Sequence, residues 1–287
     1  MDKKYKSESQ ILAVIKRMSK NKASITGLII LCILILIALL APLIMPYSYT
    51  KIDMGSKFAV PSFEHLFGCD ELGRDILSRL IYGSRYSLIL GLGSVALSVV
   101  FGLVLGSLAG FFGGTVDVII MRFLDIFSSI PGMLMAVVIS AVLGSGFGNC
   151  ILAISVSTMP QYVRLLRAQI MSIRNMEYLE ASSTLQNCSK FRIIVKHVLP
   201  NSLSSLIVTA TMGVASSILM AAGLSYVGLG VQPPNPEWGA MLSGARSYLR
   251  DYPHMVVFPG IVLAVTVLSL NMLGDGLRDA LDPKLKK

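Results

Sequence analysis

The sequence predicts an all-α integral membrane protein with six transmembrane helices. Three observations predict it. Apolar residues make up 54% of the chain and charged residues only 14%, for a mean hydropathy of +0.70, far from the composition of water-soluble domains. Several uncharged runs reach the ~20 residues that cross a hydrocarbon core. With both termini on one side of six spans, eighteen Lys and Arg fall on that side and seven on the other, the asymmetry that marks the cytoplasmic face.

Residues 1–22 form a cytoplasmic N-terminal segment with seven Lys and Arg, in which Ile11, Leu12, Val14, Ile15 and Met18 mark a short surface helix. Residues 23–46 are the first transmembrane anchor. No residue from Ala23 to Thr50 is charged, and the length of the run and of its basic lead favour a retained anchor over a cleaved signal peptide. Residues 47–84 form an extracytoplasmic loop. There Asp70 can cap a helix, Asp75 and Arg79 stand at i, i+4, and Ile76, Leu77, Leu80 and Ile81 make an apolar stripe, which predicts an amphipathic helix on the outer surface.

Residues 85–275 read as a five-helix core. The second span lies in the uncharged run Tyr86–Val116, where Ser94, Ser98, Gly102, Gly106 and Gly110 recur every four residues; that small face should pack tightly on another helix. Gly91, Gly93 and Ala96 imitate a dinucleotide-binding fingerprint, but within a membrane run and not a strand-turn-helix unit. A turn at Gly113-Gly114 leads to the third span, whose entrance carries Asp117, Arg122 and Asp125; Arg122 and Asp125 are one helical turn apart and are expected to form a structural pair. The next 38 residues, Ile126–Val163, are uncharged, and the GSGFGN sequence at 144–149 divides them into the third and fourth spans. The fifth span runs from Leu203 to about Ala222. A loop at 222–243, broken by glycines and three prolines, places Trp238 as an interfacial anchor. The sixth span is Met255–Gly274, and residues 276–287 are a cytoplasmic tail.

The one long polar insertion in the apolar second half of the chain is 172–201. A first short helix, about Glu177–Leu185, presents Ala181, Ser182 and Ser183 beside Leu179 and Glu180, small residues that allow another backbone to approach. Between Gln186 and Ser189 the chain breaks, with Asn187 suited to a left-handed residue. A second helix sets Phe191, Ile194, Val195, Val198 and Leu199 opposite Lys190, Arg192, Lys196 and His197. Pro200 ends the run. Periodicity alone fits an ordinary amphipathic connector equally well.

Other chemistry is sparse. Four cysteines without CxxC spacing and three separated histidines suggest neither a disulfide framework nor a metal site, and the 15 methionines fit adaptable packing. No cofactor is expected. The net charge of +9 is spread between spans and forms no single nucleic-acid face. The chain has no GxxxxGKS or GxxxxGKT loop for ATP phosphates, and no HExxH or GxSxG for an intramembrane enzyme. An autonomous channel or secondary transporter would need ionisable groups in mid-span, which these spans lack.

Glu180-Ala181 followed some twenty residues later by Leu199-Pro200 resembles the "EAA" cytoplasmic loop of permease subunits of bacterial ATP-binding-cassette (ABC) importers. The segment with His65, Gly68, Asp70, Gly73, Arg74, Asp75, Ser78, Arg79, Gly83 and Arg85, the loop GLGVQPPNPEWG and the tail GDGLRDALDPKLKK resemble the dipeptide, oligopeptide and nickel permeases. Cys69 departs from the usual threonine, and Gln186 from the usual loop glycine. The resemblance implies a type I ABC importer permease fold with a cytoplasmic coupling helix, and Glu177, Leu179, Glu180, Ala181, Ser182, Ser183, Gln186, Asn187, Leu199 and Pro200 as the ATPase-coupling residues. It implies four partners or kinds of partner: a homologous second permease, two cytoplasmic ATP-binding subunits, an extracytoplasmic solute-binding protein and membrane lipid. The expected substrate is a di- or oligopeptide, with nickel or a metal chelate as the alternative. Gly213, Ser216 and Ser217 are candidates for lining the pathway.

Overall fold

The computed structural model describes residues 17–19, 21–174 and 199–281. Among these the chain is helical, and the only β-type pairing is an isolated bridge between Cys69 and Asp75.

Helix α1 (Lys22–Ile44) begins where Asn21 accepts hydrogen bonds from the amides of Ala23 (3.0 Å) and Ser24 (3.3 Å). Its small side packs on the last helix: a Cβ at Gly27 would lie 2.6 Å from the Ser269 carbonyl. Leu36, Leu39 and Leu43 on its other side are exposed, as a lipid-facing surface requires. Both termini of the described chain therefore share one end of the bundle, called here the terminal end.

Residues 45–75 are irregular apart from one 3₁₀ turn at Met54–Ser56. The expected surface helix is not separate. Helix α2 (Ile76–Phe101) starts at Ile76 and continues through a π-helical turn (Gly102–Gly106) into α3 (Ser107–Phe112), so its apolar stripe belongs to the first turns of the second span. Its N-cap is Asp75, whose Oδ2 accepts from the Ser78 amide at 2.7 Å; Asp70 instead accepts from the amides of Leu72 and Arg74 in the turn before it.

The small face of α2 and α3 packs as expected, and the partner is α6 (Phe147–Arg174). Added Cβ atoms at Gly102, Gly106 and Gly110 would meet Tyr162, Val163 and Ile170 at 2.9 Å. Part of the same seam is polar. The Ser98 hydroxyl donates to the Ser155 carbonyl and the Ser155 hydroxyl to the Ser94 carbonyl, each at 3.0 Å.

The turn after α3 is made by Gly113 and Gly114, with φ of 65° and 52°, a region L side chains avoid. The third span is then broken. Helices α4 (Gly114–Ser128) and α5 (Gly132–Leu143) meet at 86°, because Pro131 offers no amide to continue the helix and biases Ile130 away from it.

Helix α7 (Leu199–Tyr226) is followed by a loop, the short helix α8 (Trp238–Ala245) and helix α9 (His254–Leu281). Trp238 is no interfacial anchor. It is fully buried, and its indole N–H donates to the Leu80 carbonyl at 3.1 Å.

Among the described residues, four helices are long and apolar enough to cross a membrane, or five if the bent pair is one span, against the six expected. Helix α6 is 28 residues long but is not one of them. It carries Arg164, Arg167 and a hydroxyl-rich stretch from Ser155 to Thr158, whose side chains bond to carbonyls of their own helix or of α2.

Candidate functional site

Helices α6 and α7 bracket the polar insertion at the terminal end. Glu177, Leu179, Glu180, Ala181, Ser182, Ser183, Gln186 and Asn187 lie outside the described residues. Leu199 and Pro200 open α7; Pro200 stands in the first turn, where a missing amide removes no helical bond.

The charges in α6 meet α4. Arg167 holds Asp117 with two parallel contacts, one of them from Nη2 to Oδ2 at 2.6 Å, and Arg164 Nη2 donates to Asp125 Oδ1 at 2.9 Å. Asp125 thus pairs with Arg164 and not with Arg122, the expected partner. Arg122 is exposed, and it is Arg164, on the neighbouring helix, that reaches the Asp125 carboxylate. Leu124, fully buried against Met159 and Val163, is the one buried residue of α4.

The three pathway candidates separate. Gly213 packs on Tyr162, whose hydroxyl would lie 2.0 Å from an added Cβ; Ser217 is buried; Ser216 is exposed. Beside the last turns of α9, a cavity of ≈ 430 Å³ is lined by Ser204, Ser205, Val208, Thr209, Met212 and Arg278.

The opposite, distal end is held by two buried polar clusters. In the first, Arg74 Nε donates to Asp70 Oδ2 at 2.7 Å, Arg79 donates to the Tyr49 carbonyl at 3.1 Å, and His65 Nδ1 lies 3.0 Å from Asp75 Oδ1. Arg79 approaches Asp70 at 3.5 Å, so the expected Asp75–Arg79 pair is replaced: Asp75 is occupied by the helix start and by His65. Cys69, which stands where threonine is usual, is fully buried here, and burial pushes its thiol up to about 12.

Sequence reasoning missed the second cluster. Glu237 is fully buried at the N-cap of α8, accepting from the amides of Gly239 (2.8 Å) and Ala240 (2.7 Å) and from the hydroxyls of Ser87 (3.3 Å) and Ser225 (3.0 Å). It thereby joins α2, α7 and α8. Burial raises its carboxyl above the ordinary value, opposed by the two amide donors. The available signal was positional: a carboxylate immediately before a helical run is a cap candidate. Among the described residues no three His, Cys, Asp or Glu side chains are grouped to hold a metal.

Comparison with known proteins decides the family. Residues 102–287 match the binding-protein-dependent transport system inner membrane component, and residues 9–61 match the N-terminal TM domain of oligopeptide transport permease C. The chain belongs to this permease family. It is 44% identical to the dipeptide transport system permease protein DppC of Alkalihalophilus pseudofirmus, covering 98% of this chain and 92% of that one. It is 45% identical to the di/tripeptide transport system permease protein DppC of Pseudomonas aeruginosa, over 93% and 89%. The glutathione transport system permease protein GsiD of Pectobacterium atrosepticum is 40% identical, over 94% and 90%. Among solved structures, an inward-facing MetNI methionine ABC transporter shares the fold, with a TM-score of 0.58, 21% identity, and coverage of 72% of this chain and 98% of that one. The permease is thus a multi-pass membrane subunit of the ABC importer class, as its motifs predict.

Proposed function

We propose that this permease forms, with a homologous second permease, the pathway of an importer for di- or oligopeptides. The reading is supported chiefly by the 44% identity to a dipeptide permease across 98% of the chain. Two separate ATP-binding subunits drive it, and an extracytoplasmic solute-binding protein delivers substrate. Both termini are cytoplasmic, in keeping with the eighteen-to-seven division of Lys and Arg. Without a phosphate-binding loop of its own, the chain takes its energy at the contact with those subunits.

That contact is the segment with Glu177, Leu179, Glu180, Ala181, Ser182, Ser183, Gln186 and Asn187, closed by Leu199 and Pro200. Glu180 orients the segment or pairs with a basic group on the ATPase. Closure of the ATPase pair displaces the segment and tilts the spans between inward-open and outward-open states. Of the pathway candidates, Ser216 has the exposure that lining the pathway needs, while Gly213 and Ser217 shape the helix behind it.

The test is uptake by the purified complex in proteoliposomes, with labelled dipeptide and labelled nickel in parallel. ATP-dependent dipeptide uptake without nickel uptake is the expected result. Nickel uptake alone would assign the permease to metal or metal-chelate import, and uptake by this chain without ATPase subunits would make it an autonomous carrier.

A further inference from the structure

Helix α4 is attached lightly. Both its ends are joints: Gly113 and Gly114 with positive φ at one, and the 86° bend at Pro131 at the other. Between them only Leu124 is fully buried, with Ile120 and Met121 partly buried against the same small cluster, while Val118, Ile119, Phe123 and Ile126 are exposed. Two polar contacts from α6 also hold it, Arg167 to Asp117 and Arg164 to Asp125. Asp117 and Arg167 are the better shielded pair, with side chains 15% and 29% exposed against 55% and 45% for Asp125 and Arg164. The doubled geometry of Arg167 on Asp117 resists rotation as well as separation.

Helix α6 runs without interruption from these arginines to Arg174, in the first residues of the polar insertion. A displacement of the insertion is therefore a displacement of Arg164 and Arg167. We propose that Arg164 and Arg167 are positioning residues that make α4 follow α6, so that movement of the 175–198 segment reaches the bent third span. The inference rests on the reading of the chain as an ATPase-driven permease. Without the pairs, α4 would keep the small apolar contact of Ile120, Met121 and Leu124 but swing about its two joints. The ATPase cycle would then run without carrying the third span with it.

The experiment uses the complete transporter in proteoliposomes, measuring labelled dipeptide uptake and ATP hydrolysis together. Asp117→Asn and Arg167→Gln should assemble like the parent while uptake per ATP falls roughly tenfold, the scale of an ordinary coupling free energy. Exchange of the two charges in the double variant Asp117→Arg, Arg167→Asp should restore most of the ratio. A merely structural role would lower assembly, uptake and hydrolysis in proportion and leave the ratio unchanged, which would overturn the proposal; so would a charge exchange that assembles but restores nothing.

A second arm covers variants that fail to assemble. With native cysteines replaced, Asp125→Cys with Arg164→Cys should transport poorly until a short thiol cross-linker joins the two helices, and then recover. Loss of uptake on cross-linking would mean that α4 and α6 must separate, and would overturn the proposal. A parent complex that moves dipeptide without ATP contradicts the permease reading itself, whatever the variants do.

Discussion

Glu237 shows how a single side chain can hold one end of a membrane bundle. Four donors from three helices converge on its carboxyl, so Glu237→Ala would strand the amides of Gly239 and Ala240 and the hydroxyls of Ser87 and Ser225. Loss of the cap and of the buried acceptor should cost about 1–3 kcal/mol, read as a lower melting temperature in detergent. The sign of its pH dependence follows from burial. Because the folded value lies above the ordinary 4.5, the folded chain binds the proton more readily than the unfolded one. Its contribution should therefore become more favourable as pH falls through the raised value toward 4.5. Glu237→Gln should remove that part of the pH dependence, and an identical pH profile in parent and variant would show that the carboxyl does not titrate in this range. Nothing in the sequence marked Glu237 as buried, since burial of a loop carboxylate is decided by how α7 and α2, the latter 150 residues away, close around it. Trp238 was misread for the same reason: an indole after a proline-rich loop fits a membrane interface until Leu80 is found above it.

Among the elements, the α2–α6 seam was the most legible. A four-residue repeat of Ser and Gly needs no tertiary information to predict close helix packing, and the structure supplies α6 as the partner. Gly106→Leu should therefore be severe, because the added side chain meets the Val163 carbonyl at 2.9 Å and Leu166 at 3.0 Å. The expected cost is roughly 1–3 kcal/mol from overpacking, checked by the yield of folded protein after detergent extraction and by its melting temperature. Gly93→Leu is the control, with only the side chain of Ile151 nearby at 3.4 Å, and should be much milder. Span boundaries were less legible. Asp70 and Asp75 are both plausible caps by type, and only the turn at Gly73 decides that Asp75 starts the helix. The break at Pro131 was visible as a proline but hidden in an uncharged run, where hydropathy cannot distinguish a straight span from a bent one. Arg122 and Arg164 could each reach Asp125 on spacing or sign, and only the packing of α4 beside α6 shows that Arg164 does.

At the scale of the whole molecule, two ends with different tasks emerge. The distal end is tied by Asp70, Arg74, Arg79 and Glu237 into a fixed cap over α2, α7 and α8. The terminal end carries the lightly held α4, both ends of the described chain and the helices that lead into the polar insertion. Such a division suits a permease whose ATPase contact lies at one face, and it predicts different failures. Glu180→Arg should leave the membrane fold intact but weaken ATPase attachment, seen as permease recovered without its ATP-binding subunits; undiminished attachment and uptake would remove Glu180 from the contact. The central claim is that this chain works only as one subunit of an ATP-driven importer. Its most direct test is mild extraction of the tagged permease from its native membrane, with mass spectrometry of the chains that accompany it. The account predicts two ATP-binding subunits and a second permease in stable association. Recovery of this chain alone, still able to move substrate when reconstituted by itself, would contradict it.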